Sequence, residues 1–271
     1  MKTPDGRPSN AIYGFVKMLG KMRAGLQPSH LLVVWDGGLS PERQQALPGY
    51  KAQRPEMPDD LRGQLDEIGR YLSAARIASY CEDDVEADDY IARVAQEAAA
   101  RQLDVVIASS DKDFMQLVGP QVGLLNPNDK TDTLWARQQV EAKTGVGPEQ
   151  IVDWLSLVGD SVDNIPGAPG IGPKTATALL KQFESIDGLY QRIAEVQPQR
   201  VREALLAAAA DVRRNQALVR LNPSVGGPVK WEELGEKAAN REELAKLFHD
   251  WGFRSLLAEL LKVNQSQPEL I

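Results

Sequence analysis

The sequence predicts an α/β domain with a mostly parallel sheet flanked by helices, followed by an all-helical domain. In the first half, apolar β-branched runs such as "HLLVVWDGG" and "LDVVIASSDKDF" alternate with helical patterns such as "VEADDYIARVAQEAAAR". This alternation is typical of parallel sheets covered by helices. From about Pro148 onward nearly every segment has helical spacing, and the Gly/Pro-containing "KTGVGPEQ" separates the two patterns. We therefore expect one domain over residues 1–147 and a second over residues 148–271.

The individual elements follow from apolar spacing along the chain. Buried strands are predicted at "HLLVVWDGG", "LDVVIASSDKDF" and "QVGLLNP". The segment "PDDLRGQLDEIGRY" carries Leu61, Leu65 and Ile68 behind an acidic first turn, which indicates an amphipathic helix. The second half contains the helical patterns "PEQIVDWLSLVGD", "PKTATALLKQF", "IDGLYQRIAEV" and "PQRVREALLAAAADVRRNQALVRL", then a helical pair at "REELAKLFHDWGFRSLLAELLKV". We expect the last residues, "NQSQPELI", to form a frayed polar tail.

The composition excludes several classes of protein. No apolar stretch approaches the roughly 18 residues that a membrane span requires, and no export signal is evident, so we expect a soluble cytoplasmic protein. The one cysteine, Cys81, excludes an internal disulfide and a cysteine-based zinc site, and we expect it to be a small buried residue. The net charge of −7 argues against a uniformly basic nucleic-acid-binding surface. That objection depends on where the acidic residues lie.

Acidic side chains recur at the ends of predicted strands and at the starts of predicted helices. They are Asp36, Glu86, Asp88, Asp89, Asp111, Asp113, Asp160 and Asp163. Because the functional crevice of an open α/β sheet lies at the carboxyl ends of its strands, several of these acids are predicted to converge there. Such a cluster needs cations to offset its repulsion, and oxygen ligands without His or Cys favour Mg²⁺ or Mn²⁺ over Zn²⁺.

Each acid also has a simpler interpretation. Asp111 or Glu86 alone would be a helix N-cap, because a side-chain oxygen there accepts a bond from an unpaired backbone amide. Asp88 and Asp89 alone would be solvated charges in a first helical turn. We assign the pair Asp59–Asp60 to that class.

A glycine-rich segment, "PGAPGIGPKTA", precedes a predicted helix in the second half. Glycines allow the backbone to turn tightly and approach a ligand, and the free amides of the following helix favour phosphate. The pattern is that of a helix–hairpin–helix turn, which binds the DNA backbone without sequence preference. The predicted contacts are Gly170, Ile171, Gly172, Pro173, Lys174 and Thr175. The alternative is an ordinary helix–helix turn with a Gly C-cap and Pro at N1, whereas the spacing does not fit a P-loop.

Taken together, these motifs resemble the structure-specific 5′-nuclease family. This family comprises the 5′–3′ exonuclease domain of bacterial DNA polymerase I, to which the sequence is most similar, together with phage exonucleases and flap endonucleases. The matching stretches are "PDGRPSNAIYGF", "VVWDG", "YKAQRPEMPDDL", "VEADDYIA", "SSDKDFMQLV", "VGDSVDNIPGAPGIGPKTA" and "LFHDWGFRSLL", in family order. The resemblance implies a resolvase/PIN-like sheet domain followed by a SAM-like helix–hairpin–helix domain. It also implies Mg²⁺-dependent 5′–3′ exonuclease and 5′-flap endonuclease activity in DNA replication and repair.

The resemblance also assigns roles to the acidic and basic residues. It implies a first ion, Mg²⁺ or Mn²⁺, among Asp36, Glu86, Asp88, Asp89 and Asp111, and a second ion near Asp113, Asp160 and Asp163. Two ions about 4 Å apart can activate water and stabilise the leaving oxygen. Lys51 and Arg54 would contact the scissile phosphate as catalytic residues, and Tyr50 would stack on a base. For Lys51 the alternative is an ordinary surface lysine.

In relatives the helix–hairpin–helix turn also holds K⁺ through backbone carbonyls. By position these would belong to Leu157, Val158, Pro166, Ala168 and Ile171. The implied partner is DNA with 5′ ends, flaps or nicks, bound by a monomer. Two divalent ions would offset about four of the seven net negative charges, so a local basic patch around Lys174 and Lys181 can then meet the duplex.

One departure from the family pattern concerns the first residues. Relatives begin with a strand that carries a metal-ligand Asp, whereas this sequence starts within the motif "TPDGRPSNAIYGF". A start codon placed too late, a trimmed chain and a natural short form remain open as explanations. A second function therefore stays open, that of a DNA-structure-binding protein with weak or no nuclease activity.

Overall fold

A computed structural model describes residues 1–129 and 131–262, so the polar tail predicted for "NQSQPELI" lies outside the described residues. The chain forms two compact units. The first comprises Met1–Trp35, Pro55–Tyr80 and the chain from Pro228 onward, and the second comprises Asp36–Arg54 and Cys81–Gly227. No helix within the described ranges is long and apolar enough to cross a membrane.

Most of the described chain is helical. The α-helices are α1 (Asn10–Leu26), α2 (Pro41–Ala46), α3 (Asp59–Ala74), α4 (Ala87–Ala100), α5 (Arg137–Thr144), α6 (Ile151–Val158), α7 (Pro173–Phe183), α8 (Ile186–Gln191), α9 (Gln199–Ala207), α10 (Ala209–Val219), α11 (Trp231–Leu234), α12 (Arg241–Asp250) and α13 (Arg254–Lys262). Short 3₁₀ helices lie at Lys112–Leu117, Pro148–Gln150 and Ile193–Glu195.

The strands are short and form separate sheets. They are β1 (Leu32–Val34), β2 (Ala78–Tyr80), β3 (Val105–Ala108), β4 (Val122–Leu125), β5 (Leu134–Trp135), β6 (Gly159–Asp160) and β7 (Ile165–Pro166). β1 pairs with β2 in parallel, β3 pairs with β4 in parallel, and β5 adds antiparallel to β4. β6 and β7 form an antiparallel pair. Of the described residues before α1, none belongs to one of these strands.

The first unit has a core of aromatic and aliphatic side chains. Leu72 of α3 and Ile12 of α1 are each 1% exposed, and Trp251 and Phe253 follow α12 in the same apolar cluster. The helical pair predicted at the end of the chain is present as α12 and α13. Apolar residues at helical spacing therefore predicted this part of the chain correctly.

In the second unit, helix α6 packs against α7 and α10. Leu157, Leu180 and Val212 are fully buried there. The single helical pattern predicted over "PQRVREALLAAAADVRRNQALVRL" is divided into α9 and α10 at Ala208. The chain between α6 and α7 carries the glycine-rich segment.

Cys81 corrects one prediction made from the sequence. We expected a small buried residue, but Cys81 is exposed. It follows β2 directly, in the acidic loop that leads to α4, where Glu82, Asp83 and Asp84 are also exposed. A polar loop of this kind does not provide an apolar environment for the thiol.

Candidate metal centre

Three buried aspartates of the second unit converge on one point. One carboxylate oxygen from each of Asp113, Asp160 and Asp163 lies within 4.8 Å of the others. Asp113 lies in the 3₁₀ helix that follows β3, Asp160 ends β6, and Asp163 lies in the turn between β6 and β7. Strand ends and a tight turn therefore bring together acids that are distant in the sequence.

One oxygen of this cluster has no protein partner. Asp113 Oδ1 is buried and accepts no hydrogen bond from any described residue. Burial, followed by the charges of Asp111, Asp160 and Asp163, raises the pKa of Asp113 well above its ordinary value. A buried carboxylate oxygen without a donor is costly. It fits the role of a ligand to a hard cation, which would supply the missing partner.

A second group of acids surrounds Asp88 in the first turn of α4. Burial, then the charge of Asp111, raises the pKa of Asp88 to about 7, and Glu86 and Asp36 act in the same direction. Asp111 also accepts the backbone N–H of Asp113 at 2.9 Å, so it caps the 3₁₀ helix as the simpler interpretation expects. Asp36, the second residue after β1, is exposed.

Glu86 does not cap its helix. Although it precedes α4, its side chain accepts no capping bond there. Instead, Glu86 Oε1 accepts the backbone N–H of Ser40 at 3.1 Å, and Oε2 accepts the hydroxyl of Tyr50 at 3.0 Å and the ammonium of Lys51. Burial alone would raise the pKa of Glu86, but the bond and charge of Lys51 lower it below its ordinary value.

Three cationic side chains contact the clustered acids. Lys51 is only 4% exposed, which rules out the surface-lysine alternative, and its Nζ lies 3.8 Å from Asp163 Oδ2. Arg54 donates from Nη2 to Asp163 Oδ1 at 2.8 Å, and Lys112 Nζ lies 3.0 Å from Asp160 Oδ1. Burial raises the pKa of Asp163, while Lys51 and Arg54 oppose the shift. These cations supply part of the positive charge that the acids require.

Tyr50 occupies a position that the sequence did not indicate. Its side chain is 4% exposed, and its hydroxyl donates to Glu86. Burial, followed by the charges of Glu86 and Asp163, raises its pKa. In this arrangement the ring packs in the core, where it is not available to a base, and stacking on DNA stays a prediction.

Asp89 differs from the other predicted ligands. Its two oxygens accept a pair of bonds from Arg43, at 2.6 and 2.8 Å, and Oδ1 also accepts the backbone N–H of Asn222 at 2.8 Å. Its hydrogen-bonding capacity is therefore directed to protein donors. Arg43 was not singled out from the sequence, because nothing in "LSPERQQAL" marks an arginine with distant partners.

The glycine-rich segment forms the turn between β7 and α7. A side chain on Gly167 would place its Cβ 2.2 Å from the carbonyl oxygen of Val158, so only glycine fits there. Gly170 has φ +74°, a left-handed conformation that favours glycine. Pro173 then starts α7 after Gly172, and Lys174 is exposed in the first turn. The exposed amide end of α7 with its lysine is suited to a phosphate group.

Three of the five carbonyls predicted to hold K⁺ accept hydrogen bonds within the second unit. Leu157 O accepts from Ala168 N at 2.9 Å, and Ala168 O accepts from Ile171 N at 3.0 Å. Pro166 O accepts from the side-chain amide of Asn215 at 2.7 Å. Since a carbonyl oxygen has two lone pairs, each retains capacity for a further partner.

Two family models together match the chain from residue 1 to residue 242. They are "5'-3' exonuclease, N-terminal resolvase-like domain" over residues 1–145 and "5'-3' exonuclease, C-terminal SAM fold" over residues 146–242. A 5′–3′ exonuclease of Aquifex aeolicus is 35% identical over 263 residues, which cover 97% of this chain and 89% of that protein. A resolvase-like sheet domain with a SAM-fold helical domain defines a class of nucleases, and the chain belongs to the 5′–3′ exonuclease family.

Longer relatives contain the same region. DNA polymerase I of Bacillus subtilis is 35% identical over 257 residues, which cover 94% of this chain. The chain spans 29% of the length of that polymerase. The similarity therefore extends to one part of the polymerase relatives.

Solved structures confirm the predicted fold. The T5 5′-exonuclease with bound zinc superposes with a TM-score of 0.68 at 21% identity, covering 92% of this chain and 90% of that one. The catalytic core of Rad2 in complex with DNA substrate superposes with a TM-score of 0.62 at 15% identity, covering 92% of this chain and 84% of that one. At these identities the likeness shows the fold alone.

The raised pKa of Asp88 predicts how pH affects stability in metal-free solution. The folded protein holds a proton on Asp88 up to about pH 7, whereas the unfolded chain releases it near 3.8. The folded state therefore loses stability as the pH rises from about 4 to 7. We expect Asp88→Asn to raise the metal-free Tm at pH 8 by several degrees, through removal of a penalty on the order of 2 kcal/mol, and to change it little at pH 4.

Thermal unfolding with a chelator present checks this prediction at both pH values. Asp104→Asn, at an exposed aspartate of the same unit, is the matched control and should leave the Tm unchanged. A lower metal-free Tm for Asp88→Asn at pH 8 would show that the charge at this position stabilises the fold.

Proposed function

We propose that this chain is a Mg²⁺-dependent 5′–3′ exonuclease and 5′-flap endonuclease that hydrolyses DNA phosphodiesters. The observation that carries the proposal is the buried, unpartnered oxygen of Asp113 beside Asp160 and Asp163. Acids of this kind suit Mg²⁺ or Mn²⁺, because hard cations prefer oxygen ligands. Asp36, Glu86, Asp88, Asp89 and Asp111 would hold a first ion, and Asp113, Asp160 and Asp163 a second.

Bound divalent ions would supply an activated water and stabilise the leaving oxygen. The basic residues of the chain act on the DNA itself. Lys51 and Arg54 lie beside the acids, at 3.8 and 2.8 Å from Asp163. Their charges suit phosphate oxygens, whose negative charge is stabilised by fixed cations in the transition state.

The turn between β7 and α7 would hold the duplex next to this centre. The segment from Gly170 to Thr175, which leads into the amide end of α7, suits a backbone phosphate, and Lys174 adds an exposed charge. We propose that K⁺ binds the carbonyls of the same turn and supports this contact. Because these groups read phosphate and no base edge, the expected DNA binding is independent of sequence.

The substrates we propose are DNA with 5′ ends, flaps or nicks, bound by a monomer. Processing of such ends belongs to replication and repair in the bacterial cytoplasm. The polymerase activity of the longer relatives is not assigned to this chain. A panel of 5′-labelled flap, nicked and single-stranded DNA tests the proposal, and cleavage confined to single strands would contradict structure-specific recognition.

A second candidate is a DNA-structure-binding protein with weak or no nuclease activity. It is favoured by the ion pairs that Lys51, Arg54 and Lys112 make with Glu86, Asp163 and Asp160, since these pairs offset part of the charge without a metal. Retained flap binding without cleavage in Mg²⁺ or Mn²⁺ would favour this candidate.

Lys174→Ala tests the phosphate contact. We expect weaker binding to many DNA sequences alike, with the slope of log K against log salt reduced by about 1, because one phosphate contact is lost. Fluorescence anisotropy over a salt series measures both quantities. Lys143→Ala, at an exposed lysine of α5, is the matched control. A loss confined to particular DNA sequences would argue against a phosphate contact.

A further inference from the structure

We propose that Arg43 is a positioning residue of the metal centre, and that Asp89 is its anchor and not a metal ligand. The inference rests on the proposed metal-dependent function and narrows its ligand set. Arg43 orients Glu86 so that only one Glu86 oxygen faces the site. Neither role was indicated by the sequence, where Asp89 reads as one more acid of the cluster.

The first support is that every nitrogen of the Arg43 guanidinium has a protein partner. Nε donates to the carbonyl of Leu218 at 2.9 Å. Nη1 donates to Asp89 at 2.6 Å and lies 3.2 Å from Glu86 Oε1, while Nη2 donates to Asp89 at 2.8 Å and to the carbonyl of Arg220 at 3.0 Å. Four hydrogen bonds and one ion pair thus hold the guanidinium, in a side chain that is 8% exposed. Burial opposes its charge, but Asp89 and Glu86 raise its pKa, so the guanidinium stays charged.

The second support is the state of Asp89. Asp89 is 2% exposed, and each of its oxygens accepts a hydrogen bond from the Arg43 guanidinium. Oδ1 also accepts the backbone N–H of Asn222. A metal ion at Asp89 would lie against a permanently charged guanidinium. A planar fork that binds a carboxylate at two points is the arrangement in which arginine holds an acid in place.

The third support is that the two carboxylate oxygens of Glu86 have different partners. Oε1 accepts the backbone N–H of Ser40 at 3.1 Å and forms an ion pair with Arg43 Nη1 at 3.2 Å. Oε2 instead accepts from the hydroxyl of Tyr50 and from the ammonium of Lys51, a cation that a bound metal ion would replace. Glu86 is therefore set to offer Oε2 alone.

Arg43 also ties together segments that are far apart in the sequence. It lies on α2, Asp89 lies on α4, and the two carbonyls belong to the end of α10, where helix carbonyls have no partner within the helix. Lysine cannot make these contacts together, because it has a single nitrogen. Through Arg43, the position of Glu86 thus depends on the carbonyls at the end of α10.

Metal-free stability distinguishes an anchor from a ligand. If Asp89 is the anchor, Asp89→Asn leaves the buried guanidinium with only the ion pair to Glu86, and the metal-free Tm at pH 8 falls by about 5 °C or more. If Asp89 is a ligand, its removal relieves repulsion among the acids and the Tm rises, as expected for Asp88→Asn. A rise for Asp89→Asn would overturn the inference, whether or not the chain cleaves DNA.

A double-mutant cycle on Mn²⁺ affinity tests the positioning of Glu86. By calorimetry without DNA, Arg43→Lys and Asp89→Asn should each weaken Mn²⁺ binding by roughly tenfold or more, and the double variant should be no weaker than the worse single one. Arg93→Lys is the matched control. That arginine donates to Glu97 and to two backbone carbonyls, but to none of the clustered acids.

Two results would overturn the positioning role. One is wild-type Mn²⁺ affinity in Arg43→Lys, and the other is additive losses in the double variant, as expected of an independent ligand. Should Arg43→Lys not fold, the Tm of Asp89→Asn still decides between anchor and ligand. Absence of nuclease activity in the wild-type chain would contradict the proposed function. The metal-free Tm and the Mn²⁺ affinity would still test the roles of Arg43 and Asp89.

Discussion

Asp113→Asn is expected to lower Mg²⁺-dependent cleavage of a 5′-flap substrate by at least about a hundredfold, with DNA affinity within about twofold of wild type. Asp113 supplies the buried oxygen that has no protein partner, so its loss removes a ligand without breaking a hydrogen bond of that atom. Catalysis that depends on a fixed charge typically loses about 10²–10³-fold when one stabilising group is removed. DNA contacts made by the turn at Lys174 do not involve this atom.

Single-turnover cleavage and anisotropy in a chelator measure the two quantities separately. Asp104→Asn serves again as the control for loss of one exposed carboxylate in the same unit. Undiminished cleavage by Asp113→Asn would remove the Asp113, Asp160 and Asp163 cluster from the chemistry.

Lys51→Met is expected to slow cleavage by about a hundredfold and, at the same time, to tighten Mn²⁺ binding. Lys51 stabilises phosphate charge in the proposed reaction, which explains the slower cleavage. It also competes with a metal ion for Glu86 Oε2, so its removal frees that oxygen. Because the buried Glu86 loses its nearest cation, the metal-free protein should be destabilised by about 3–5 kcal/mol, and Mn²⁺ should restore much of this loss.

The opposite signs of these effects make the prediction specific. Cleavage rate, Mn²⁺ affinity by calorimetry and metal-free Tm are measured on the same preparation, with Lys143→Met as the control for an exposed lysine. Weaker Mn²⁺ binding in Lys51→Met would show that the lysine supports the metal site and does not compete with it.

Local chemistry explains which features could be predicted from the sequence. The turn around Gly167 and Gly170 was identified because its conformation depends on residues adjacent in the chain. Long amphipathic patterns predicted α3, α4 and the helices after Pro148. β2 and β5 were missed because runs of three and two residues are too short to show a period.

The acidic cluster was predicted in part because strand ends in α/β folds share one edge. The resemblance to the 5′-nuclease family grouped Asp113, Asp160 and Asp163 around one ion, and oxygens of these three residues do lie together. The resemblance predicted DNA contacts for Tyr50 and Lys51 and a metal-ligand role for Asp89. In the structure, burial and distant partners decide the contacts of all three. No local pattern carries that information, since the partners of Arg43 lie on α4 and at the end of α10.

Addition of Mg²⁺ to a preformed, metal-free complex of the chain with a labelled 5′-flap DNA tests the central claim most directly. If the buried acids form a catalytic metal centre, cleavage near the flap junction begins on addition of Mg²⁺ or Mn²⁺ and stops with chelator. If the DNA remains intact in both metals while the complex persists, the chain binds flap DNA without cleaving it, and the proposed nuclease activity is contradicted.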